Sequence, residues 1–325
     1  MLAFLLVKTK TPHHFIKHKS MKVLVATEKP FAAVAVEGIR KETEAAGNEL
    51  VLLEKYTEKS QLLAAVAEAD ALIIRSDKVD AEVLEAGKNL KIVVRAGAGF
   101  DNVDLAAATA HGVVVENTPG QNSNAVAELV FGMLVFGVRN FFNGKAGTEL
   151  MGKRLGILAF GNVGRNVARI AKGFGMEVSA YDAFCPADVI EAAGVKAAKN
   201  QDELFETCDI VSLHIPATPE TKKSINYALV GKMKKGGIVV NTARKEVIDE
   251  EGLLKLMQER EDIKYLTDIM PDAHAEFAKL EGRYFSTPKK MGAQTQEANI
   301  NAGIAAARQI TAFFKEGSTK FQVNK

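Results

Sequence analysis

Two arginines of this sequence are placed where they could bind an acidic small molecule. Arg75, followed by Ser76, and Arg95 each end an apolar run of strand length. Guanidinium groups bind carboxylates and phosphates through paired hydrogen bonds, so two cations at strand ends suit a doubly anionic substrate. The alternative for Arg95, a structural ion-pair partner, stays open at this point.

Other polar or glycine-rich strings also follow predicted strands, and ligands of doubly wound sheets bind outside the carboxyl ends of strands. Gly97, Ala98 and Gly99 could expose backbone N–H groups to a carboxylate, although a plain turn is the alternative. The remaining strings of this kind are His214-Ile215-Pro216, Asn241-Thr242-Ala243-Arg244 and Asp268.

The stretch from 153 to 182 reads as strand, tight turn, helix and strand. It matches the G-x-G-x-x-G dinucleotide fingerprint except at the first position, where Ala159 stands. Gly161 lets the backbone approach a pyrophosphate, and Gly164 lets the helix pack closely on the strand. Backbone N–H groups near Asn162 and Val163 would point at the anion. Ala159 is acceptable in the first position if its φ is negative.

Asp182 lies about 20 residues beyond the glycines, where an acid can accept hydrogen bonds from both hydroxyls of the adenine ribose. A 2′-phosphate at that place would meet a like charge. The sequence therefore predicts a Rossmann site for NAD rather than NADP, and an ordinary βαβ turn is the alternative.

Composition narrows the classes of function. The 325 residues are 47% hydrophobic and 25% charged, and the net charge is +2, which argues against nucleic-acid binding. Cys185 and Cys208 have neither metal-site nor disulfide-framework spacing, so a reducing cytoplasm is expected. No apolar run is long enough for a membrane span.

Residues 1–20 differ from the rest of the chain, with an apolar start followed by lysines and histidines and no acid. The order of charge and apolar residues is wrong for a signal peptide. His13, His14 and His18 lack further ligands, so we expect no metal site. A disordered tail before Met21 is predicted.

From Met21 onward, short apolar strands alternate with helices, which predicts two Rossmann-like α/β domains with parallel sheets and a cleft between them. The turn around Pro119 marks a boundary, and the long alanine-rich helix from Thr295 would cross back. We expect a substrate-binding domain of residues 21–118 plus 292–325 and an NAD-binding domain of residues 119–291.

The order of these motifs resembles that of D-2-hydroxyacid dehydrogenases, and most closely that of D-3-phosphoglycerate dehydrogenases. The matching strings span nearly the whole chain from Met21. They are RAGAGFDNVD (95–104), NTP (117–119), AE (127–128), the fingerprint, SLHIP (212–216), TPET (218–221), NTAR (241–244) and TQEA (295–298).

The resemblance implies NAD as cofactor, a homodimer, and oxidation of D-3-phosphoglycerate, a phosphorylated 2-hydroxy acid, to 3-phosphohydroxypyruvate. It also implies that Arg244 binds the substrate carboxylate and that Asn102 contacts the substrate. His214, Pro216, Thr242, Ala243, Asp268 and Gly292 would lie along the cofactor. Because the chain stops near Lys325, we expect no C-terminal regulatory domain.

Two catalytic residues of the family are missing. Lys290 stands at the position where the family has its histidine, and the position of the family's glutamate falls near Ala273. To act as a base near pH 8, a lysine must have its pKa lowered by burial or by nearby cations. A neighbouring glutamate would raise the pKa instead. Lys290 with Arg244 is therefore the predicted catalytic pair. A solvated basic loop (Lys289 and Lys290) is one alternative, and His274 is a rival acid–base group.

Two other functions remain open. A reductase of hydroxypyruvate or glyoxylate would not need a cation for a phosphate, so Arg75 discriminates between the two enzymes. A catalytically silent NAD(H)-sensing protein on the same scaffold would bind the cofactor without turnover.

Overall fold

The computed structural model describes residues 20–325. The predictions for the tail, including those for His13, His14 and His18, lie outside the described residues. Within residues 20–325, no helix is both long and apolar enough to cross a membrane.

The first sheet has five parallel strands in the order β2-β1-β3-β4-β5. Its central strand β3 is buried at every position, as expected for a parallel sheet covered on both faces. The elements are β1 (Lys22–Thr27), α1 (Ala33–Ala45), β2 (Glu49–Glu54), α2 (Lys59–Val66), β3 (Ala71–Ile74), α3 (Ala81–Ala86), β4 (Ile92–Arg95), α4 (Leu105–Ala110) and β5 (Val114–Asn117).

The second sheet has seven parallel strands in the order β12-β11-β10-β9-β6-β7-β8. Its first elements are α5 (Ser123–Val138), β6 (Arg154–Leu158), α6 (Asn162–Gly173), β7 (Glu177–Tyr181), α7 (Ala187–Ala192), β8 (Lys196–Ala197), α8 (Gln201–Thr207) and β9 (Ile210–Leu213). They are followed by α9 (Tyr227–Gly231), β10 (Ile238–Asn241), α10 (Glu250–Glu259), β11 (Lys264–Thr267), α11 (His274–Phe277), β12 (Tyr284–Ser286) and α12 (Gln296–Glu316). Short 3-10 turns lie at Asn140–Phe142 and Lys245–Val247.

The predicted fold class is confirmed, since both sheets are parallel and helices cover their faces. The last helix α12 returns to the first sheet, where Ala302, Ala306 and Ile310 are buried in its core. Helix α5 packs instead into the core of the second sheet through residues such as Leu134. The carboxyl ends of both sheets therefore face a common cleft.

The turn from β6 into α6 corrects the expectation for Ala159, because its φ is +79° rather than negative. Neighbouring contacts fix this backbone: Ala159 N donates to Tyr181 O (2.8 Å), and Phe160, only 1% exposed, anchors the next position. The Ala159 carbonyl points at Gly164, where a Cβ would overlap it. Left-handed backbone at a non-glycine residue costs roughly 1–3 kcal/mol.

Ala159→Gly should raise the free energy of unfolding by about 1 kcal/mol, because relief of left-handed strain exceeds the added flexibility of the unfolded chain. Thermal denaturation would show an increase of about 1–2 °C in a protein of this size. Ala228→Gly, at an exposed position within α9, is the control and should lower stability. An unchanged or lower melting temperature for Ala159→Gly would contradict the inference that Ala159 is strained.

Candidate active site

A cleft between the two sheets collects the polar strand ends predicted from the sequence. A cavity of about 530 Å³ is lined by Arg95, Ala98, Gly99, Asp101, Asn122, Arg244, Lys245, Glu246, Ile269, Lys290, Ala293 and Gln294. Arg95, Asn122, Ala293 and Gln294 also line a smaller cavity of about 120 Å³, which reaches Arg75 and Ser76. Arg244 and Lys290 thus lie at one end of the cleft and Arg75 at the other.

Lys290 and Arg244 converge on one backbone oxygen. Lys290 Nζ donates to Ala243 O at 3.1 Å, and Arg244 Nη1 donates to the same oxygen at 2.9 Å. Although the Lys290 residue as a whole is exposed, its ammonium end is partly withdrawn from water. That desolvation, and secondarily the charge of Arg244, lowers the pKa of Lys290. This shift raises the neutral fraction of Lys290 at a given pH.

The loop that carries Arg244 is held by the side chain of Asn241 at the end of β10. Asn241 Nδ2 donates to Arg244 O (3.0 Å), and Asn241 Oδ1 accepts from Ala243 N (2.9 Å). Asn241 itself is fully buried. The segment Asn-Thr-Ala-Arg is therefore held by hydrogen bonds between its own residues, which fix the Ala243 carbonyl between the two cations.

Asp268 lies below this pair at the end of β11 and is fully buried. Its Oδ2 accepts from Gly292 N at 2.7 Å, which ties the Lys290 loop to the second sheet. Burial raises the pKa of Asp268, and the Gly292 hydrogen bond and the charge of Lys290 oppose that shift. Among residues 20–325, Asp268 Oδ1 is buried and has no hydrogen-bond partner.

Arg75 forms hydrogen bonds with backbone and amide oxygens. Its Nη1 donates to Lys29 O (3.0 Å) and Pro30 O (3.2 Å), and its Nη2 donates to Asn299 Oδ1 (2.8 Å). The guanidinium also lies 5.2 Å from the ring centroid of Phe31. Its pKa is lowered by burial.

Arg95 crosses the glycine-rich turn beside Arg75. Its Nε donates to Arg75 O at 3.0 Å, and burial followed by the charge of Arg75 lowers its pKa. Among residues 20–325, neither arginine forms a salt bridge. Arg95 is therefore not the structural ion-pair partner that was the alternative. Two adjacent, partly buried cations would be relieved by a bound anion.

Gly97 is the residue that lets Arg95 take this path. Its φ is +149°, and a Cβ there would overlap Arg95 Nη1. The turn is tied to β5 by Thr118 N donating to Gly97 O (2.9 Å) and Asn117 Nδ2 donating to Ala98 O (2.6 Å). Within the described chain, no backbone hydrogen bond uses the N–H groups of Ala98 and Gly99, which leaves them available to a ligand.

The fingerprint turn fits a dinucleotide. Gly161 is the N-cap of α6, and a Cβ there would meet nothing within 4 Å, which leaves room beside the free N–H groups of Asn162 and Val163. Asp182 Oδ2 accepts from Phe160 N (2.7 Å), and its Oδ1 accepts from Phe184 N (2.8 Å) and Cys185 N (3.0 Å). A carboxylate has about four acceptor sites, so it can still receive a ribose hydroxyl.

The other predicted cofactor residues surround the carboxyl ends of β9 and β10. His214 Nε2 lies 2.9 Å from Ser212 Oγ, and burial lowers the pKa of His214 to about 3, so the ring is neutral. Thr242 is buried and its Oγ1 has no partner. Pro216 is exposed, and its carbonyl accepts from Thr221 Oγ1 (2.6 Å).

Two predicted residues are engaged away from the cleft. Asn102 Nδ2 donates to Arg75 O (3.2 Å) and Asp77 O (2.6 Å), so its amide supports the arginine segment from behind. His274 Nδ1 lies 2.8 Å from Tyr284 OH and belongs to α11. Neither residue is among those that line the two cavities.

Several cleft residues were missed by the sequence reasoning, namely Asp101, Asn122, Glu246, Ile269 and Gln294. Asp101 had a usable signal, because it stands in the string that follows the glycine-rich turn. Asn122 and Gln294 lie in the two chain crossings between the domains, and no local pattern marks them.

Most of the second domain matches a known protein family. Residues 138–284 match the family description "D-isomer specific 2-hydroxyacid dehydrogenase, NAD binding domain". The crystal structure of NAD+-bound 3-phosphoglycerate dehydrogenase from Entamoeba histolytica is similar, with a TM-score of 0.82 and 50% identity, over 94% of this chain and 99% of that one. The second domain is therefore an NAD-binding domain, as predicted.

Curated relatives carry two different activities. The D-3-phosphoglycerate dehydrogenase of Methanocaldococcus jannaschii is 36% identical over 78% of this chain and 51% of its own length. The hydroxypyruvate reductase of Thermotoga maritima is 38% identical over 82% of this chain and 91% of its own length. The chain spans about half the length of the curated phosphoglycerate dehydrogenases that it matches.

The neutral His214 predicts a pH dependence of stability. Its folded pKa of about 3 lies below the unfolded value of about 6.5, so only the unfolded chain gains a proton as pH falls below 6.5. Stability attributable to His214 is present above that value and is lost on acidification. His214→Gln, which keeps a partner for Ser212 and does not titrate, should lose less stability between pH 7 and pH 5 in urea denaturation.

His111→Gln is the matched control, because a hydrogen bond to Glu85 raises the pKa of His111. That contribution is present at acidic pH and is lost as pH rises through the folded pKa. The control should therefore lose more stability on acidification than the wild type. Equal loss in His214→Gln and the wild type would contradict a neutral His214.

Proposed function

This chain belongs to the D-2-hydroxyacid dehydrogenase family, and from that premise we propose that it oxidises D-3-phosphoglycerate to 3-phosphohydroxypyruvate with NAD. The convergence of Lys290 and Arg244 on Ala243 O, at one end of a cleft that has Arg75 and Arg95 at the other, carries the proposal. The named activity of the Entamoeba histolytica relative, which is 50% identical, supports it.

Lys290 is proposed as the acid–base group. In its neutral form it accepts the proton of the substrate 2-hydroxyl, and as an ammonium group it returns that proton in the reverse reaction. Bound NAD supplies the hydride acceptor. The lowered pKa of Lys290 increases the neutral fraction, and the absence of a glutamate at Ala273 fits this requirement, since an adjacent carboxylate would raise the pKa.

Arg244 is proposed to bind the substrate carboxylate and the oxygen on C2. Its Nη1 is directed to Ala243 O, which leaves other donors of the guanidinium for a carboxylate. The free N–H groups of Ala98 and Gly99 approach the same cavity from the opposite domain. Asp268, tied to the Lys290 loop through Gly292, is proposed to lie at the nicotinamide end of the cofactor.

At the other end of the cleft, Arg75 and Ser76 are proposed to bind the phosphate. The small cavity beside them also meets the first turn of α12, where Ala298 and Asn299 line it. Two partly buried cations and the amino end of a long helix both favour an anion. A substrate with a carboxylate at one end and a phosphate at the other would match both ends of the cleft.

Reduction of hydroxypyruvate is the second candidate. The chain covers 91% of the Thermotoga maritima hydroxypyruvate reductase, a more complete match than with the longer phosphoglycerate dehydrogenases. Such a substrate would use Lys290, Arg244 and the glycine-rich turn in the same way and would leave Arg75 without an anion.

A homodimer is also proposed, as the family resemblance implies. Support comes from the segment between α5 and β6, where Phe142 is 66% exposed and Met151 is 72% exposed. Large apolar side chains of this kind are often covered by a partner subunit.

Lys290→Ala should lower kcat roughly 10²–10⁴-fold, the usual loss when a general base is removed. In the wild type, kcat for oxidation should rise with pH as Lys290 loses its proton. Full activity in Lys290→His, which has no glutamate partner at Ala273, would weaken the argument that this site is suited to a lysine base. NADH formation from 3-phosphoglycerate, followed between pH 6 and pH 10, measures all three.

Lys289→Ala is the matched control, because Lys289 is the exposed neighbour, and within residues 20–325 its one hydrogen bond is through its carbonyl, which accepts from Thr287 Oγ1. It should keep wild-type turnover and pH dependence. Near-full turnover in Lys290→Ala would make the solvated-loop alternative correct.

Arg75→Ala should raise the KM for 3-phosphohydroxypyruvate roughly 10–100-fold, the loss expected for a charged hydrogen bond, with little change for hydroxypyruvate. Gly97→Ala should instead impair both substrates, because at φ +149° its Cβ displaces the Arg95 guanidinium and strains the glycine-rich turn that both substrates would use. Steady-state NADH oxidation with the two substrates measures this.

Arg308→Ala removes an equal charge from an exposed site on α12 that pairs with Glu42, and it should leave both KM values unchanged. Equal effects of Arg75→Ala on the two substrates would favour the hydroxypyruvate reductase.

A further inference from the structure

Asp77 is a buried acid that lies behind the Arg75 end of the cleft and takes no part in the proposed chemistry. Only 4% of the residue is exposed. Burial of a carboxylate is costly unless hydrogen bonds compensate it. The hydrogen bonds that compensate the burial of Asp77 indicate its structural role.

The carboxylate accepts hydrogen bonds from three separate chain segments. Its Oδ1 accepts from Glu28 N (2.7 Å) and Tyr56 OH (3.0 Å), and its Oδ2 accepts from Arg75 N (3.2 Å). Glu28, Tyr56 and Arg75 follow β1, β2 and β3, which are neighbours in the sheet. One side chain therefore joins the carboxyl ends of three adjacent strands.

The segment that begins at Glu28 also supports the Arg75 guanidinium. Lys29 O and Pro30 O accept from Arg75 Nη1 at 3.0 and 3.2 Å, and Thr27 Oγ1 donates to Lys29 O at 2.6 Å. Asp77 thus holds the backbone of Arg75 through one oxygen, and through the other it holds the segment on which the guanidinium rests.

We propose that Asp77 is a positioning residue that sets the Arg75 guanidinium for the phosphate of the substrate. The inference rests on the proposed function, in which Arg75 binds that phosphate. Asp77 acts through two linked contacts, the Arg75 backbone and the Glu28–Pro30 carbonyls, and it does not touch the substrate. Asn299, which accepts from Arg75 Nη2, completes the support from α12.

Asp77→Asn tests this with little change in volume. An amide has one acceptor oxygen and one donor nitrogen, so in either orientation its NH2 group faces a backbone N–H, that of Glu28 or that of Arg75. The segment facing the NH2 group must then move. Because both segments lead to Arg75, either movement displaces the guanidinium.

The expected result for Asp77→Asn is a KM for 3-phosphohydroxypyruvate about tenfold higher or more, the size of one lost charged hydrogen bond. KM for hydroxypyruvate and the Kd for NADH should stay within about threefold of wild type, since those contacts lie elsewhere in the cleft. A purely structural role would instead lower the melting temperature and impair both substrates alike, and that result would overturn the proposal.

Asp80→Asn is the matched control. Asp80 is the N-cap of α3, where its side chain accepts from Val83 N, and it pairs with Lys59. Asparagine caps helices about as well as aspartate, so this variant removes the same charge close by without touching the Arg75 support. It should leave both KM values unchanged.

A second readout does not need activity. Modification of Arg75 by phenylglyoxal, followed by peptide mass spectrometry, should be faster in Asp77→Asn than in wild type or Asp80→Asn, because the guanidinium loses its fixed acceptors. Equal rates in all three proteins would overturn the positioning role. A wild type that does not prefer the phosphorylated substrate would instead refute the proposed function, whatever the phenylglyoxal rates.

Tyr56→Phe covers the case in which Asp77→Asn does not fold. It removes the hydroxyl that fixes Oδ1, so the carboxylate can rotate, and both backbone hydrogen bonds of Asp77 are weakened without being lost. It should produce the same selective effects at smaller size, in both KM for the phosphorylated substrate and the modification rate of Arg75. Wild-type values for both quantities would count against the proposal.

Discussion

The proposed chemistry depends on the carbonyl oxygen of Ala243, which accepts hydrogen bonds from two cationic side chains. Arg244 and Lys290 reach it at 2.9 and 3.1 Å, and neither cation neutralises the other. Partial desolvation of Lys290, followed by the charge of Arg244, lowers its pKa, and the carboxylates of Asp268, Glu246 and Asp101 oppose that shift. The Ala243 carbonyl orients the ammonium group without adding a further full negative charge to those of the nearby carboxylates, so the site is ordered while the pKa of Lys290 stays lowered.

The same principle operates at the far end of the cleft. Arg75 rests on two carbonyls and an amide oxygen, and Arg95 donates to the carbonyl of Arg75. Acceptors without a full charge fix the guanidinium groups and leave their positive potential available to an anion. The buried acid Asp77 lies behind the segment and binds backbone N–H groups. The cleft is thus cationic at both ends, which is the charge pattern of a substrate with a carboxylate and a phosphate.

Most of the fold followed from local sequence pattern, because buried parallel strands are continuous apolar runs. The alanine-rich helix predicted from Thr295 is present as α12, with Thr295 as its N-cap, whereas the two-residue strand β8 and short helices such as α9 left no periodic signal. Ala159 was expected at negative φ, and contacts with Tyr181 and the packing of Phe160 override that preference. Strand-end arginines could be identified as site candidates, but Asp77 could not, because its partners come together only in the folded sheet.

The most direct test of this account is the protonation of Lys290 itself in the enzyme with NADH bound. Competitive labelling with acetic anhydride across pH, quantified for the Lys290 peptide, gives the pKa of that single ammonium group. We predict that the pKa of Lys290 lies below the ordinary lysine value of about 10.4. In Arg244→Met this pKa should rise toward the ordinary value. A Lys290 that titrates at or above 10.4 in the wild type would contradict its role as the base.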